Sequence, residues 1–214
     1  FMYRSHPLTA AVLKKVGSGA IGNLRMIRTN FCFCTSEIET NVRFSTELAG
    51  GGLMDVGCYC VNFCRAIAQS EPIAVHGVAH LHESGVDDFA AGAMEFPGGV
   101  LACFTCGMRV EADNTVSICG DCGYIEIPVP WKPPVNGAEF VVGHSAPPRM
   151  DRTPDAAPPR QSFQVDAGKP LYALEADDFA ATVLDGAPAR VSEQDTLGNM
   201  RVLDELRRQV GVPF

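Results

Sequence analysis

No apolar stretch approaches the ~18 residues that a membrane-spanning helix needs, so no segment is expected to cross a bilayer. There is no run of basic residues either. With a net charge of −8 and a pI near 5.1, the chain repels phosphate backbones, and nucleic acid is not an expected partner. Internal repeats and low-complexity tracts are missing, which excludes solenoids and collagen-like chains. A P-loop, a G-x-S-x-G elbow and an H-E-x-x-H motif are all absent. So is a dinucleotide fingerprint: Gly17-Ser18-Gly19 and Gly19-Ala20-Ile21-Gly22 end a helix and lead into a strand, the reverse of the order required. The first residue is not Met, and the opening residues show no charged and apolar leader pattern, so no secretory signal is expected. The chain is therefore expected to be part of a longer, cytoplasmic protein.

What is present is ordinary globular material. The 214 residues are 46% apolar and 20% charged, enough for one large domain or two small ones. Nine cysteines, an odd number without a secretory signal, read as free thiols in a reducing compartment. Helical spacing of Leu8, Val12, Leu13 and Val16 predicts a helix over 6–18, opened by Pro7. A strand is expected over 24–35, then a charged loop, then Gly50-Gly51-Gly52 before a helix over 53–68 that is apolar nearly all round. Residues 73–82 alternate as a strand. Two hairpins follow, turning at Pro97-Gly98-Gly99 and at Gly120-Asp121-Cys122-Gly123. Nine of the 15 prolines fall between Pro128 and Pro159, so 128–160 is expected to be a looped excursion with a short strand near Phe140. A last strand near 161–165 precedes a helix over 172–184 with Leu174, Phe179 and Val183 inward. Ser192 with Asp195 then opens a final helix. This order predicts an α+β fold: an open, largely antiparallel sheet with helices on one face. Its other face is then free to meet another subunit.

Three groups of side chains have chemical potential. Asp55 and Tyr59, four apart on a predicted helix, share a face behind a glycine loop that can approach a ligand closely. A carboxylate beside a phenol can orient it, but a phenol is a poor base at neutral pH unless a cation lowers its pKa. The bland alternative is a core Tyr satisfied by a carboxylate. Cys103-x-x-Cys106 and Cys119-x-x-Cys122 resemble two zinc knuckles, although residues three apart on one strand face opposite ways. This leaves a zinc-binding or dimerising module as an alternative reading. His76, His80 and His82 alternate onto one strand face, but their steps spread them over about 20 Å. They read as a polar face.

These residues together resemble the carboxy-terminal domain of the glucose–fructose oxidoreductase, inositol dehydrogenase and MocA superfamily. The resemblance is nearest to the xylose dehydrogenase and dimeric dihydrodiol dehydrogenase branch. It runs through Phe1-Met2-Tyr3-Arg4-Ser5-His6-Pro7, Gly19-Ala20-Ile21-Gly22, Asn41-Val42-Arg43, Gly50 to Tyr59, Tyr172-Ala173-Leu174-Glu175 and Gly198 to Asp204. It implies that residues 1–214 form a single substrate and oligomerisation domain, paired in the family with an amino-terminal Rossmann domain. It also implies an oxidoreductase that moves hydride between NAD or NADP and a sugar, polyol or trans-diol. By the same resemblance Asp55 and Tyr59 are catalytic, with Tyr59 as acid/base, and Arg43 contacts the nicotinamide end of the cofactor. Arg4 and His6 are assigned to the substrate. The family's catalytic Lys belongs to an E-K-P motif of the Rossmann domain, so this chain alone is expected to be inactive. A homodimer or homotetramer through the open sheet face is the expected assembly.

Overall fold

A computed structural model describes residues 1–144 and 159–212. Residues 145–158, in the middle of the proline-rich stretch, and residues 213–214 lie outside the described residues.

The strands are β1 (Leu24–Cys32), β2 (Ala74–Leu81), β3 (Asp87–Phe96), β4 (Val100–Gly107), β5 (Val116–Gly120), β6 (Tyr124–Ile127), β7 (Ala138–Gly143) and β8 (Arg160–Val165). They form one sheet in the order β2-β3-β4-β1-β5-β6-β7-β8. Only β1 and β4 run parallel; every other neighbouring pair is antiparallel. The α+β expectation therefore holds. The placing of β1 between β4 and β5, which makes the sheet mixed, is a long-range choice that no local pattern reports. The β3–β4 turn needs both of its glycines, because Gly98 and Gly99 adopt φ of +80° and +78°.

Helices α1 (Pro7–Gly17), α2 (Cys58–Ala68) and α4 (Glu193–Val210) cover one face of the sheet, while α3 (Leu171–Asp185) packs on residues 2–5. A π-helical turn, Leu53–Gly57, leads directly into α2. Alternation sorts each strand between core and surface. On β4, Ala102, Phe104 and Cys106 are buried under the helices, while Leu101, Cys103 and Thr105 face out. The core side chains of α2 are small where the helix nears the sheet: Cys60 and Cys64 are fully buried, and a Cβ on Gly57 would press on the Cys106 sulfur. Four of the nine cysteines, Cys32, Cys60, Cys64 and Cys106, thus serve as small apolar packing groups, and all nine are free.

The short strand expected near Phe140 is present: β7 takes six residues of the proline-rich stretch, with Ala138, Phe140 and Val142 inward. One expectation needs correction. On α3 no residue is buried. Phe179 and Val183 are 71% and 63% exposed rather than inward, and Leu174 alone of the three is half-buried. An apolar stripe shows that a helix has a face to cover; it does not supply the cover.

Candidate active site

Arg43 sits on a short 3-10 turn, Val42–Phe44, capped by the Asn41 side chain. The chain then doubles back through the glycines: the Gly51 N–H donates to the Arg43 carbonyl at 2.9 Å. Gly51 has φ +119°, and a Cβ there would strike the Asp87 carboxylate, so only glycine makes this turn. The turn sends the chain into the π-helical segment, whose first backbone N–H, on Leu53, donates to Asp87 Oδ2 at 2.6 Å. Asp55 follows within it. Arg43 Nε donates to Asp55 Oδ2 at 2.7 Å, and this ion pair is part-exposed on both sides. Asp55 is thus engaged by Arg43 rather than by Tyr59.

Tyr59 lies one turn on, with its hydroxyl donating to the Met2 sulfur at 3.4 Å. Thioether sulfur is a weak acceptor, so that hydroxyl is readily turned to a better one. Burial, and after it the nearby Cys58, Tyr172, Glu175 and Asp55, push the Tyr59 phenol up to about 12. In this chain Tyr59 is therefore a proton donor at neutral pH; acting as a base requires a cation beside it. Aromatic rings fix its position. Phe1 and Phe31 meet Tyr59 edge-on at 5.0 and 5.3 Å between centroids, and Trp131 stacks on Phe31 at 5.3 Å and 6° while meeting Tyr59 edge-on at 6.1 Å.

Arg43, Asp55 and Tyr59 line one open cavity of about 700 Å³. Phe31, Phe33, Glu37, Lys132 and Tyr172 share its wall; of these only Tyr172 was named from sequence, as part of a family motif and with no role at the site. The usable signals were the period-2 continuation of β1 through Phe31 and Phe33, and the lysine next to the single tryptophan.

Arg4 and His6 are not part of this cavity. Arg4 donates to Asn62 and to Asp195 at 3.2 and 3.1 Å. With Arg65, which also grips Glu71 and Asp195, it ties the amino-terminal turn to α2 and α4. His6 is 1% exposed; its Nδ1 accepts from the Leu8 N–H and so caps α1, while its Nε2 bonds the Pro134 carbonyl. Both side chains make internal hydrogen bonds, and neither lines the cavity that holds Tyr59.

The thiols of the two C-x-x-C segments do not converge. β4 is continuous, so Cys103 faces out and Cys106 in, and β1 separates both from Cys119 on β5. Among the described residues no group of three or more His, Cys, Asp or Glu is placed to hold a metal. Burial also raises the thiols of Cys58, Cys60, Cys64 and Cys106, which keeps them protonated and poor ligands. His80 bonds Asp88 at 2.7 Å and stacks on Phe89, whereas His82 bonds Ser84 beyond the strand. The histidines form no common site.

Over residues 9–126, more than half of its length, the sequence matches the family model described as GFO/IDH/MocA C-terminal domain. The trans-1,2-dihydrobenzene-1,2-diol dehydrogenase of Mus musculus is 36% identical over 131 residues, 61% of this chain and 39% of that protein. That of Xenopus laevis is 34% identical over 155 residues, 69% of this chain and 46% of that protein. The chain thus spans less than half the length of these dehydrogenases. An aldose-aldose oxidoreductase from Caulobacter crescentus, crystallised with glycerol, superposes with a TM-score of 0.81 at 24% identity, over 99% of this chain and 60% of that one. KijD10, a 3-ketoreductase from Actinomadura kijaniata in complex with NADP and TDP-benzene, gives 0.79 at 23% identity, over 98% and 61%. At these identities the structural likeness is one of fold. A continuous match across the first six strands and an equivalent fold over nearly every residue lead to one conclusion: the chain belongs to the GFO/IDH/MocA oxidoreductase family, as its carboxy-terminal domain.

Proposed function

We propose that this chain is the substrate-binding half of an NAD(P)-dependent oxidoreductase acting on a CH–OH group of a sugar, polyol or trans-diol, with Tyr59 as the proton carrier. The observation that carries this reading is the meeting of Tyr59, Asp55 and Arg43 on one cavity. The names of the relatives supply the substrate class: diol dehydrogenases by sequence, and sugar oxidoreductases by fold. The bound nicotinamide supplies or accepts the hydride. The residues present fit its reactive end: Arg43 gives Nε to Asp55 and lies over the Phe33 ring, which leaves its terminal nitrogens as hydrogen-bond donors. They can donate to an amide carbonyl at the cavity mouth. The phosphate-binding part of the cofactor site belongs, in this reading, to a domain beyond this chain.

Hydride removal from an alcohol releases a proton, and the reverse reaction consumes one. Tyr59 stands where that proton is exchanged. Its raised pKa suits donation to a developing alkoxide. Oxidation of an alcohol calls for a phenolate and hence for positive charge close by. Lys132 lines the same cavity but is not among the groups that shift the Tyr59 phenol, so in this reading that charge falls to the lysine that the family resemblance places in the Rossmann domain. Asp55 holds Arg43 in place, while Phe31 gives the cavity an apolar side against which the C–H face of a sugar or diol ring can lie.

We assign the open sheet face to a second copy, giving a homodimer or a tetramer built from it. Val78, Leu101, Met26 and Phe89 are 40–72% exposed there, Met26 beside Leu101 at one end and Val78 near Phe89 at the other, with His76, Ala93, Cys103 and Arg28 in the row between. The bare stripe on α3 supports packing against the remainder of the intact protein. The free thiols suit a cytoplasmic setting.

The test uses the intact protein that carries this chain, screened with NAD and NADP on sugars and diols. Tyr59→Phe removes one oxygen from an intermediate-exposure site and is expected to lower turnover by about 100-fold or more, with the fold unchanged by circular dichroism. Unchanged turnover would remove Tyr59 from the chemistry.

A further inference from the structure

Asp87 is a fully buried carboxylate that does not line the cavity. It opens β3 and touches both ends of the short loop behind the site. Its Oδ2 accepts from the Leu53 N–H at 2.6 Å, at the first turn of the helix that bears Asp55 and Tyr59. Its Oδ1 has no hydrogen-bond partner and lies against Gly51, where a Cβ would strike it. Gly51 in turn holds the Arg43 carbonyl through its N–H, and Gly50 is pressed on that same carbonyl too closely for a side chain. One carboxylate therefore fixes the main chain on which Arg43 stands and the helix start from which Asp55 points.

We propose that Asp87 is a positioning residue whose ionised carboxylate sets the Arg43–Asp55 pair at the cavity mouth, and whose protonation loosens that pair. The proposal rests on reading this cavity as the active site, since it assigns Asp87 a role there. An ionised carboxylate is the stronger acceptor for an amide at a helix N-terminus, where the helix dipole also favours negative charge. Protonation weakens that bond and puts a hydroxyl donor at Oδ1, where no hydrogen-bond partner stands and the backbone of Gly51 presses close. Burial pushes Asp87 up to about 6, opposed mainly by the Leu53 amide. The charged and titratable groups around it are few. Asp88 on its own strand raises it, Arg207 on α4 lowers it, and the Cys106 thiol on β4 is kept neutral by its own burial. The loop and the helix start present backbone only, so the carboxylate reports its own protonation rather than that of a cluster.

The experiment is a nuclear magnetic resonance titration of the labelled 214-residue chain from about pH 4 to about pH 8, following the Asp87 carboxyl carbon and the Arg43 Nε–H. The Arg43 signal is expected to step at the Asp87 midpoint, near 6. Asp87→Asn keeps an acceptor for the Leu53 amide but cannot ionise, so that step disappears. An Arg43 signal that is flat through the Asp87 midpoint, or a step that survives in D87N, overturns the proposal. Should D87N fail to fold, coincidence of the two wild-type midpoints decides alone. Coupling seen together with full turnover of the intact Tyr59→Phe enzyme would retire the cavity as the active site and leave Asp87 as the anchor of the Arg43 loop. A flat Arg43 signal with inactive Tyr59→Phe would do the reverse.

Discussion

Trp131 is the single tryptophan of the chain, and it props the cavity from behind. It is 3% exposed. Its ring stacks on Phe31 and meets Tyr3, Phe63 and Tyr59 edge-on at 5.6, 5.8 and 6.1 Å, and its Nε1–H donates to the Asn30 carbonyl at 2.7 Å. Trp131→Ala removes the indole and leaves a cavity, a change that costs about 3–5 kcal/mol in a packed core. It also strands the Asn30 carbonyl, adding about 1 kcal/mol or more. That is a large share of the roughly 5–15 kcal/mol that holds a domain of this kind together. Trp131→Phe keeps a ring against Phe31 but loses the donor and part of the volume, and is expected to cost about 1–3 kcal/mol. Urea unfolding followed by far-ultraviolet ellipticity compares all three chains, because fluorescence reports only on the parent. The order parent, Phe, Ala is expected, with the Ala chain close to unfolded. An Ala variant within about 1 kcal/mol of the parent would refute the claim that this aromatic cluster organises the fold around Tyr59. A Phe variant equal to the parent would show that the Asn30 carbonyl finds another donor.

Two further outcomes follow from the same coordinates. Asp87 has its ordinary value of 3.8 raised to about 6 on folding, so the folded chain binds that proton more tightly than the unfolded one. Its contribution to stability is complete below about pH 4 and is lost as pH rises through about 6, a change on the order of 3 kcal/mol. Asp87→Asn is expected to flatten that part of the profile of unfolding midpoint against pH, and an unaltered slope would mean that Asp87 does not carry it. On the open sheet face, Val78→Lys with Leu101→Lys alters side chains that are 72% and 50% exposed. The double variant is expected to keep its stability within about 1 kcal/mol and to run as a monomer in light scattering; a dimer that persists would place the subunit contact elsewhere.

Several elements were legible because their signals are local. Strands β2 to β6 follow from period-2 alternation broken by glycine turns, and α2 from a helical stretch apolar on every side, which the structure buries from Cys60 to Arg65. The pairing of Ser192 with Asp195 was half legible. Ser192 does cap α4 by accepting from the Asp195 N–H, but the Asp195 carboxylate turns away to Arg4 and Arg65. The internal partners of Arg4 and His6 were not legible for the same reason. A charged or imidazole side chain looks available until the partners that consume it are in place, and those partners lie on α2, on α4 and near Pro134.

The sequence by itself determined the fold class and, through the resemblance, the family, and it pointed to Arg43, Asp55 and Tyr59, which share one cavity, because periodicity and motif spacing are properties of neighbouring residues. Tertiary structure alone decided that β1 enters the sheet beside β4, that Asp55 pairs with Arg43, that four buried cysteines pack and the two C-x-x-C pairs do not converge, and that α3 bares its apolar stripe. Each of these depends on which distant surface comes to rest against which. A pattern along one element sets the direction a side chain faces, and only the packed chain sets what it meets there.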